Sequence, residues 1–199
     1  MTHFLFAEMS LRRVFTVRTL GIAIVSLSLA FNFLAAAKIH SLRARVEYLM
    51  ADGKVKVGQR VPPFTVARID GVEETLRLDN AKTRTVLYVF SPSCGWCKRN
   101  IENVKALQQS ATDYRLIGLS MVKKDLSAHV ASAGFKFPIY SNIPPDIVGQ
   151  LRLGGTPNTI IVSEAGTVLK SWVGAYSDTT KTEIESFLKI RLPGITLGN

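Results

Sequence analysis

Two cysteines separated by two residues stand where a buried strand gives way to a helix. The β-branched and aromatic run Thr85–Phe90 predicts the strand, and Ile101, Val104 and Leu107 recur at helical spacing after it. Between them lies Cys94-Gly95-Trp96-Cys97, and the chain has no other cysteine. This junction indicates a fold in which strands alternate with helices, with the first sulfur at a helix N-terminus.

A helix N-terminus favours the thiolate form of a cysteine, because unpaired backbone N–H groups and the positive end of the helix dipole lie there. The thiolate is the nucleophile in thiol–disulfide exchange. Cys97 follows Cys94 by about one helical turn, so the two sulfurs can close and reopen a short disulfide. We therefore predict that Cys94 and Cys97 form a redox-active pair.

Two other interpretations of the cysteine pair stay open. Half of a zinc site would need further ligands, but there is no second cysteine pair, and His3, His40 and His129 are scattered. A structural disulfide at the start of one helix would close a very small loop and stabilise the fold little. The pattern therefore favours redox chemistry, with no metal site and no cofactor.

The net charge of +10 does not indicate a nucleic-acid-binding protein. Residues 1–57 carry 8 basic and 3 acidic side chains and residues 58–199 carry 17 and 12, so each part contributes +5. Half of the excess therefore flanks the leading apolar segment, as is typical near anionic lipid. Elsewhere the only adjacent basic pairs are Lys98-Arg99 and Lys123-Lys124, with no interleaved aromatic residues.

The segment 19–37 has no charged side chain. As a helix it would span about 28 Å, close to the hydrocarbon thickness of a bilayer. It is longer than the apolar core of a signal peptide, about 7 to 15 residues, although Ala35–Ala37 offers the small residues that a signal peptidase recognises. We predict a tail at 1–18 and one transmembrane anchor at 19–37, with a cleaved signal peptide as the alternative.

Residues 38–56 continue as an amphipathic stalk with one apolar stripe. Basic residues flank the anchor on both sides, with more of them after it. By the positive-inside rule, this count places the C-terminal domain in the cytoplasm. We nevertheless expect a membrane-anchored protein with its catalytic domain outside the cytoplasm, in the periplasm. A short N-terminal tail is typical of a signal anchor. Disulfides, the substrates of a thiol catalyst, form and persist in an oxidising compartment.

Residues 57–199 are predicted to form a single α/β domain. Phe64–Ile69 and Glu74–Leu78 alternate apolar and polar side chains around Asp70-Gly71, which predicts an N-terminal hairpin. Strands alternating with helices predict a central mixed sheet with helices on both faces. The other predicted strands are 85–90, 115–120, 137–141, 158–163 and 167–173, and the predicted helices are 97–110, 126–133, 145–154 and 181–190.

Thr156-Pro157 stands directly before a predicted strand. A proline there can follow a cis peptide bond, which turns the preceding backbone N–H and C=O groups outward. Those groups could pair with an extended substrate by strand addition. A trans proline at the start of an edge strand is the other interpretation of this residue alone.

Together, Phe90–Lys98 and Gly155–Val162 resemble the thioredoxin-like thiol-disulfide oxidoreductases of the TlpA and ResA type, the redoxin-domain proteins. The resemblance covers roughly residues 57 to 190. It implies a thioredoxin-like fold in which Cys94 attacks, Cys97 resolves and Pro157 is cis beside them. It also implies protein thiols and disulfides as partners, with a membrane thiol reductase as the electron donor.

Two positions depart from the pattern of these proteins. Members that mature cytochromes have a glutamate three residues after the second cysteine, where this chain has Asn100. Thioredoxin has a buried aspartate six residues before the first cysteine, where this chain has Tyr88. Without either carboxylate, Cys97 is expected to lose its proton to water or substrate.

The candidate substrate-binding residues are Gly95, Trp96, Thr156 and Pro157. The Gly-Trp dipeptide differs from the Gly-Pro of thioredoxin, and this dipeptide affects the redox potential. Trp96 is expected to form an apolar lip for partner docking, with packing on the domain surface as the other interpretation.

We expect a membrane-anchored thiol-disulfide oxidoreductase that exchanges disulfides with partner proteins, acting as the reductant. A protein of another class fits the same residues: a non-catalytic, client-binding assembly factor whose cysteine pair is a redox switch. A thiol peroxidase is disfavoured, because its pattern has a threonine three residues ahead of the cysteine, where Ser91 stands.

Overall fold

The structure is a computed structural model that describes residues 21–22, 24–42 and 55–195. The chain divides into two units, Met1–Leu49 and Met50–Asn199. In the described part of the first unit, α1 (Ile24–Leu42) has a mean hydropathy of 1.4 and buries none of its residues. By length and composition α1 could cross a membrane. It continues past residue 37 into the predicted stalk, whereas the predicted tail and stalk residues 43–54 lie outside the described residues.

The second unit is built on one seven-stranded sheet. In chain order its strands are β1 (Phe64–Arg68), β2 (Glu73–Leu76), β3 (Arg84–Phe90), β4 (Tyr114–Ser120), β5 (Ile139–Ser141), β6 (Asn158–Val162) and β7 (Val168–Val173). They lie in the order β2-β1-β5-β4-β3-β6-β7. The β3, β4 and β5 strands are parallel and all other neighbours are antiparallel, so the predicted mixed sheet is confirmed.

Helices pack on both faces of this sheet, as predicted. Alternate residues of β3 point to opposite faces, and each face forms its own buried cluster. One cluster joins Leu87 and Val89 to Ile147, and the other joins Tyr88 to Val104. The helices of this unit are α2 (Gly95–Arg99), α3 (Ile101–Gln109), α4 (Leu126–Ala133), α5 (Pro145–Gln150) and α6 (Asp178–Leu188).

The hairpin of β1 and β2 turns at Asp70-Gly71, as predicted. Gly71 has a φ of +88°, a conformation that glycine adopts without steric cost. Its N–H donates to the carbonyl of Arg68, and the Asp70 carboxylate accepts from the N–H of Val72. The turn residues therefore fix the register of the sheet edge.

The prediction of one helix from Cys97 to about Ser110 is wrong. The helical segment begins at Gly95 and breaks at Asn100, which ends α2 and begins α3. The Asn100 side chain is fully buried, and its Oδ1 accepts from the backbone N–H of Tyr176. Helical periodicity of apolar residues cannot reveal such a break, because a distant backbone group helps to fix it.

Gly118 lies in β4, where the chain has no room for a side chain. A Cβ atom there would lie 2.8 Å from Ile139 Cγ1 and 3.0 Å from Phe137 Cε2. We expect Gly118→Ala to lower the free energy of unfolding by about 1–3 kcal/mol, because overpacking displaces these side chains. Chemical denaturation of the full chain in detergent measures this loss.

Gly149→Ala provides the matched control for that prediction. Gly149 lies in α5, and a Cβ atom added there meets nothing within 4 Å. The control variant should be as stable as the wild type or slightly more stable, since alanine favours helix. Equal stability of the two variants would show that the sheet accommodates the added methyl group at Gly118.

Candidate active site

The loop after β3 places Cys94 at the N-cap of α2. Cys94 has extended backbone angles, φ −73° and ψ 117°. Its N–H donates to the carbonyl of Ser91 at 3.0 Å, and the hydroxyls of Ser91 and Ser93 are hydrogen-bonded at 3.0 Å. Phe90, the last residue of β3, packs against His129 and Phe135. The strand residue before the turn is therefore held in an aromatic cluster.

The Cys94 sulfur is partly exposed and hydrogen-bonded on two sides. It accepts from the backbone N–H of Cys97 at 3.1 Å, and its thiol donates to the carbonyl of Thr156 at 3.4 Å. Burial raises the pKa of Cys94, but the side chains of Cys97 and Thr156 and the N–H groups of Cys97 and Trp96 outweigh it. The net pKa lies below the ordinary value, which raises the thiolate fraction of Cys94 at a given pH.

Cys97 has the opposite environment, with only 2% of its surface exposed. Burial raises the pKa of this thiol to about 12, and the hydrogen bond with Cys94 adds to the rise. Both cysteines are free thiols. The two thiols therefore differ in exposure and acidity: Cys94 is partly exposed with a lowered pKa, and Cys97 is buried with a raised pKa.

The peptide bond between Thr156 and Pro157 is cis, as the resemblance implies. It directly precedes β6, which pairs with β3, and this pairing brings the bond to the cysteines. The Thr156 carbonyl meets the Cys94 sulfur, and the Pro157 carbonyl accepts from the N–H of Gly174 at 2.7 Å. The structure thus brings together four predicted site residues from two segments of the chain.

The other two predicted site residues, Trp96 and Gly95, lie between the two cysteines in the chain. Trp96 is 49% exposed, and the Arg99 guanidinium lies 5.0 Å from the centre of its ring. Gly95 begins α2 and has open space around its Cα. A cleft of about 610 Å³ is lined by residues that include Lys98, Val122 and Lys124.

Two buried polar residues under the cysteines were missed as site residues. Tyr88 lies in β3, in the buried cluster that also contains Cys97, and Asn100 lies between α2 and α3; both are almost fully buried. The sequence identified them only as positions that lack a carboxylate. Their fixed offsets from the cysteines, six before the first and three after the second, are the signal that could have identified them.

His129, considered above as a scattered potential ligand, packs in the aromatic cluster. Burial lowers its pKa, and the positive charge of Lys98 lowers it further. Within residues 21–22, 24–42 and 55–195, no three His, Cys, Asp or Glu side chains come together as a metal site would require. Among the described residues, the cysteine pair therefore stays the candidate reactive centre.

Comparison with known proteins agrees with this geometry. The curated relative "Thiol-disulfide oxidoreductase ResA" of Bacillus thuringiensis is 23% identical over 143 residues, which cover 68% of this chain and 79% of the relative. A solved putative protein disulfide isomerase from Bacteroides thetaiotaomicron superposes with a TM-score of 0.56 at 22% identity, covering 68% of this chain and 89% of that one.

A third comparison concerns the fold alone. The thioredoxin domain of a thiol-disulfide oxidoreductase from Bacteroides vulgatus superposes with a TM-score of 0.55 at 15% identity, covering 68% of this chain and 99% of that one. The predicted thioredoxin-like fold is therefore confirmed. The family model described as Redoxin matches residues 56–188, and the chain accordingly belongs to the Redoxin family.

Proposed function

We propose that this protein is a membrane-anchored thiol-disulfide oxidoreductase that exchanges disulfides with partner proteins and acts as the reductant. One observation carries the proposal: the acidic Cys94 thiol lies at the N-cap of α2, beside the Thr156 carbonyl and one turn from the buried Cys97. The family and the curated ResA relatives support the exchange activity itself.

The reaction proceeds in two exchange steps. The Cys94 thiolate attacks one sulfur of the partner disulfide, forming a mixed disulfide and releasing the other partner sulfur, which takes up a proton. The Cys97 thiol then loses its proton and attacks Cys94 Sγ, which releases the second partner sulfur, also as a thiol. The partner gains two electrons and two protons, and Cys94 and Cys97 become a disulfide.

The backbone beside Cys94 provides a docking site for an extended partner segment. In the proposal, the segment lies against the cis bond between Thr156 and Pro157 and pairs with the exposed backbone there. In this proposal the half-exposed ring of Trp96 is an apolar lip for the partner, and the open space at Gly95 leaves room for the segment. Protein disulfides are thus the substrate class.

Replacing Trp96 by alanine tests this docking role. We expect KM for a protein disulfide to rise about tenfold, because exposed aromatic anchors dominate the binding energy of protein interfaces. The rate at which a small alkylating reagent modifies Cys94 should stay unchanged. Val72→Ala, a change at an exposed apolar residue in the hairpin turn, is the control. Equal KM values for the two variants would contradict the role of Trp96 in partner docking.

The proposed organisation is a tail at 1–18, an anchor at 19–37, a stalk at 38–56 and a thioredoxin-like domain at 57–199, which lies outside the cytoplasm. The exposed apolar surface of α1 supports the anchor. Fusion of a periplasm-dependent reporter to the C-terminus should give an active reporter. An inactive fusion, together with an active cytoplasmic reporter, would overturn the proposed orientation.

Electrons return to Cys94 and Cys97 from a membrane thiol reductase in this proposal. The direction of electron transfer depends on the reduction potential of the cysteine pair, because the same two sulfurs can also oxidise a partner dithiol. Equilibration of the full chain with dithiothreitol buffers measures the potential of the pair. A value well above that of the partner couple would exclude the reductant direction.

Reduction of insulin by the full chain, driven by dithiothreitol, tests the activity directly. The wild type should accelerate the reduction, and a double variant with Cys94→Ser and Cys97→Ser should not. The same variant separates the proposal from a client-binding assembly factor. If it restores function in cells that lack the protein, binding rather than exchange is the activity.

A further inference from the structure

Beneath the cysteine pair lie two buried polar groups without hydrogen bonds. The Tyr88 hydroxyl and the Asn100 Nδ2 are both shielded from solvent, and neither has a partner in the described part of the chain. The Asn100 amide is close enough to the hydroxyl oxygen to lower the pKa of Tyr88, although the two groups do not reach hydrogen-bond geometry, whereas the thiols of Cys97 and Cys94 raise that pKa. A buried polar group without a partner is costly, and it requires an explanation.

The direction of the Asn100 amide is fixed by its other atom. Its Oδ1 accepts from the backbone N–H of Tyr176 and from Asn103 Nδ2, each at 3.0 Å. A backbone N–H can only donate, so the oxygen must stay on that side. Nδ2 is therefore held on the remaining side as a donor beside Tyr88.

The other tyrosine hydroxyls on this side of the sheet are satisfied. Tyr176 is hydrogen-bonded to Thr159 Oγ1 at 2.6 Å, and Tyr114 donates to the Leu107 carbonyl at 2.6 Å. Phenylalanine in place of Tyr88 would fill almost the same space without burying an unpaired hydroxyl. The unpaired group of Tyr88 thus lies close to the one buried thiol that must lose its proton in the second exchange step.

We propose that the Tyr88 hydroxyl, held beside the Asn100 amide, donates a hydrogen bond to the Cys97 thiolate as it forms during resolution of the mixed disulfide. The S–H bond of Cys97 breaks, the Cys97–Cys94 bond forms, and the bond from Cys94 to the partner sulfur breaks. The partner sulfur leaves with the electron pair and takes up one proton. This inference rests on the proposed function and assigns a neutral donor to a position where the sequence lacks a carboxylate.

A neutral donor fits these surroundings better than a base. Burial raises the pKa of Tyr88 well above its usual value, so the hydroxyl keeps its proton at neutral pH. The titratable groups facing Tyr88 and Cys97 are Cys94 at the N-cap of α2 and Tyr176 after β7, both uncharged in the mixed disulfide. The hydroxyl can then stabilise a new negative charge without repelling it.

Tyr88→Phe tests the inference in the full chain in detergent. Mixing the dithiol protein with excess Ellman's reagent releases thionitrobenzoate in two phases. The first depends on reagent concentration and reports attack by Cys94, and the second is independent of it and reports attack by Cys97. In the variant, the second phase at pH 7 should slow about tenfold or more, since hydrogen bonds to charged groups are strong. Its pH profile should move about one unit higher, and the first phase should stay within about twofold.

Tyr114→Phe is the matched control, because it removes a hydroxyl that has a partner. It should lower the denaturation midpoint and leave both phases unchanged, whereas Tyr88→Phe should leave the midpoint unchanged or raise it. A second phase in Tyr88→Phe that is as fast as in the wild type, or faster, with an unshifted profile, overturns the inference. Equal slowing of both phases also overturns it, because that result indicates a general structural role.

Two further results keep the test decisive. If Tyr88→Phe does not fold, 3-fluorotyrosine at position 88 supplies a more acidic hydroxyl, which should move the second-phase profile to lower pH. An unshifted profile would then overturn the inference. If the wild type itself shows neither phase, the proposed function fails, and this result is distinct from a failure at Tyr88 alone.

Discussion

Replacing Cys94 by serine is expected to abolish disulfide exchange, with a loss of about 10³-fold or more in the rate of insulin reduction. The serine hydroxyl is not ionised near neutral pH, so the hydrogen bonds that lower the pKa of Cys94 have no thiolate to stabilise. The remaining thiol cannot compensate, because Cys97 is buried and its pKa is raised to about 12.

The fold of the Cys94→Ser variant should be intact. Cys94 is partly exposed and contacts its surroundings through hydrogen bonds that a hydroxyl can also make. The denaturation midpoint should therefore match that of the wild type, which separates loss of chemistry from loss of structure. Insulin reduction at more than about a tenth of the wild-type rate by a correctly folded variant would contradict the role of Cys94 as nucleophile.

Much of the sheet could be predicted because the residue pattern within each strand is typical of a strand. The residues of β3 are almost all apolar and buried, as expected for a central strand with a covered face on each side. The hairpin has alternation and a turn glycine, and α4 was predicted with its observed bounds, Leu126–Ala133. These features depend on neighbouring residues, so they are visible in a local stretch of sequence.

The parts that were not predicted depend on contacts between distant residues. Asn100 breaks the helix where its side chain accepts from the N–H of Tyr176, 76 residues away. The contact between the Cys94 sulfur and the Thr156 carbonyl joins residues 62 positions apart. Residue patterns alone identified both cysteines and the proline as separate motifs, and it was the family resemblance that implied Pro157 beside the cysteines. The pairing of β3 with β6 shows how the chain brings them together.

Replacing Cys97 by serine should separate the two exchange steps. The variant retains the Cys94 nucleophile and the backbone N–H of residue 97, so it should still attack disulfides. It lacks the thiol that resolves the mixed disulfide, and turnover should fall about 10³-fold or more. Mixed disulfides with partner proteins should therefore accumulate, and they are visible as dithiothreitol-sensitive bands on non-reducing gels.

The pH dependence of Cys94 gives the same variant a second readout. In the wild type the Cys97 side chain lowers the pKa of Cys94 through a hydrogen bond from its thiol. In the variant, the serine hydroxyl replaces the Cys97 thiol as the side-chain donor to Cys94. The N–H groups of residues 96 and 97 remain and continue to lower the pKa of Cys94. Alkylation by iodoacetamide measured from pH 4 to 10 should still show a midpoint below that of a free cysteine, about 8.5.

Those N–H groups are free to donate to the sulfur because residue 94 caps a helix, so the alkylation midpoint tests the physical origin of the reactivity. If the midpoint in Cys97→Ser equals that of a free cysteine, the Cys97 thiol alone activates Cys94 and the helix terminus contributes nothing. A midpoint that stays low, combined with trapped partners, assigns activation to the N-terminus of α2 and resolution to Cys97. Absence of trapped partners with a low midpoint would instead contradict the exchange of disulfides with proteins, because the nucleophile would be competent and still unused.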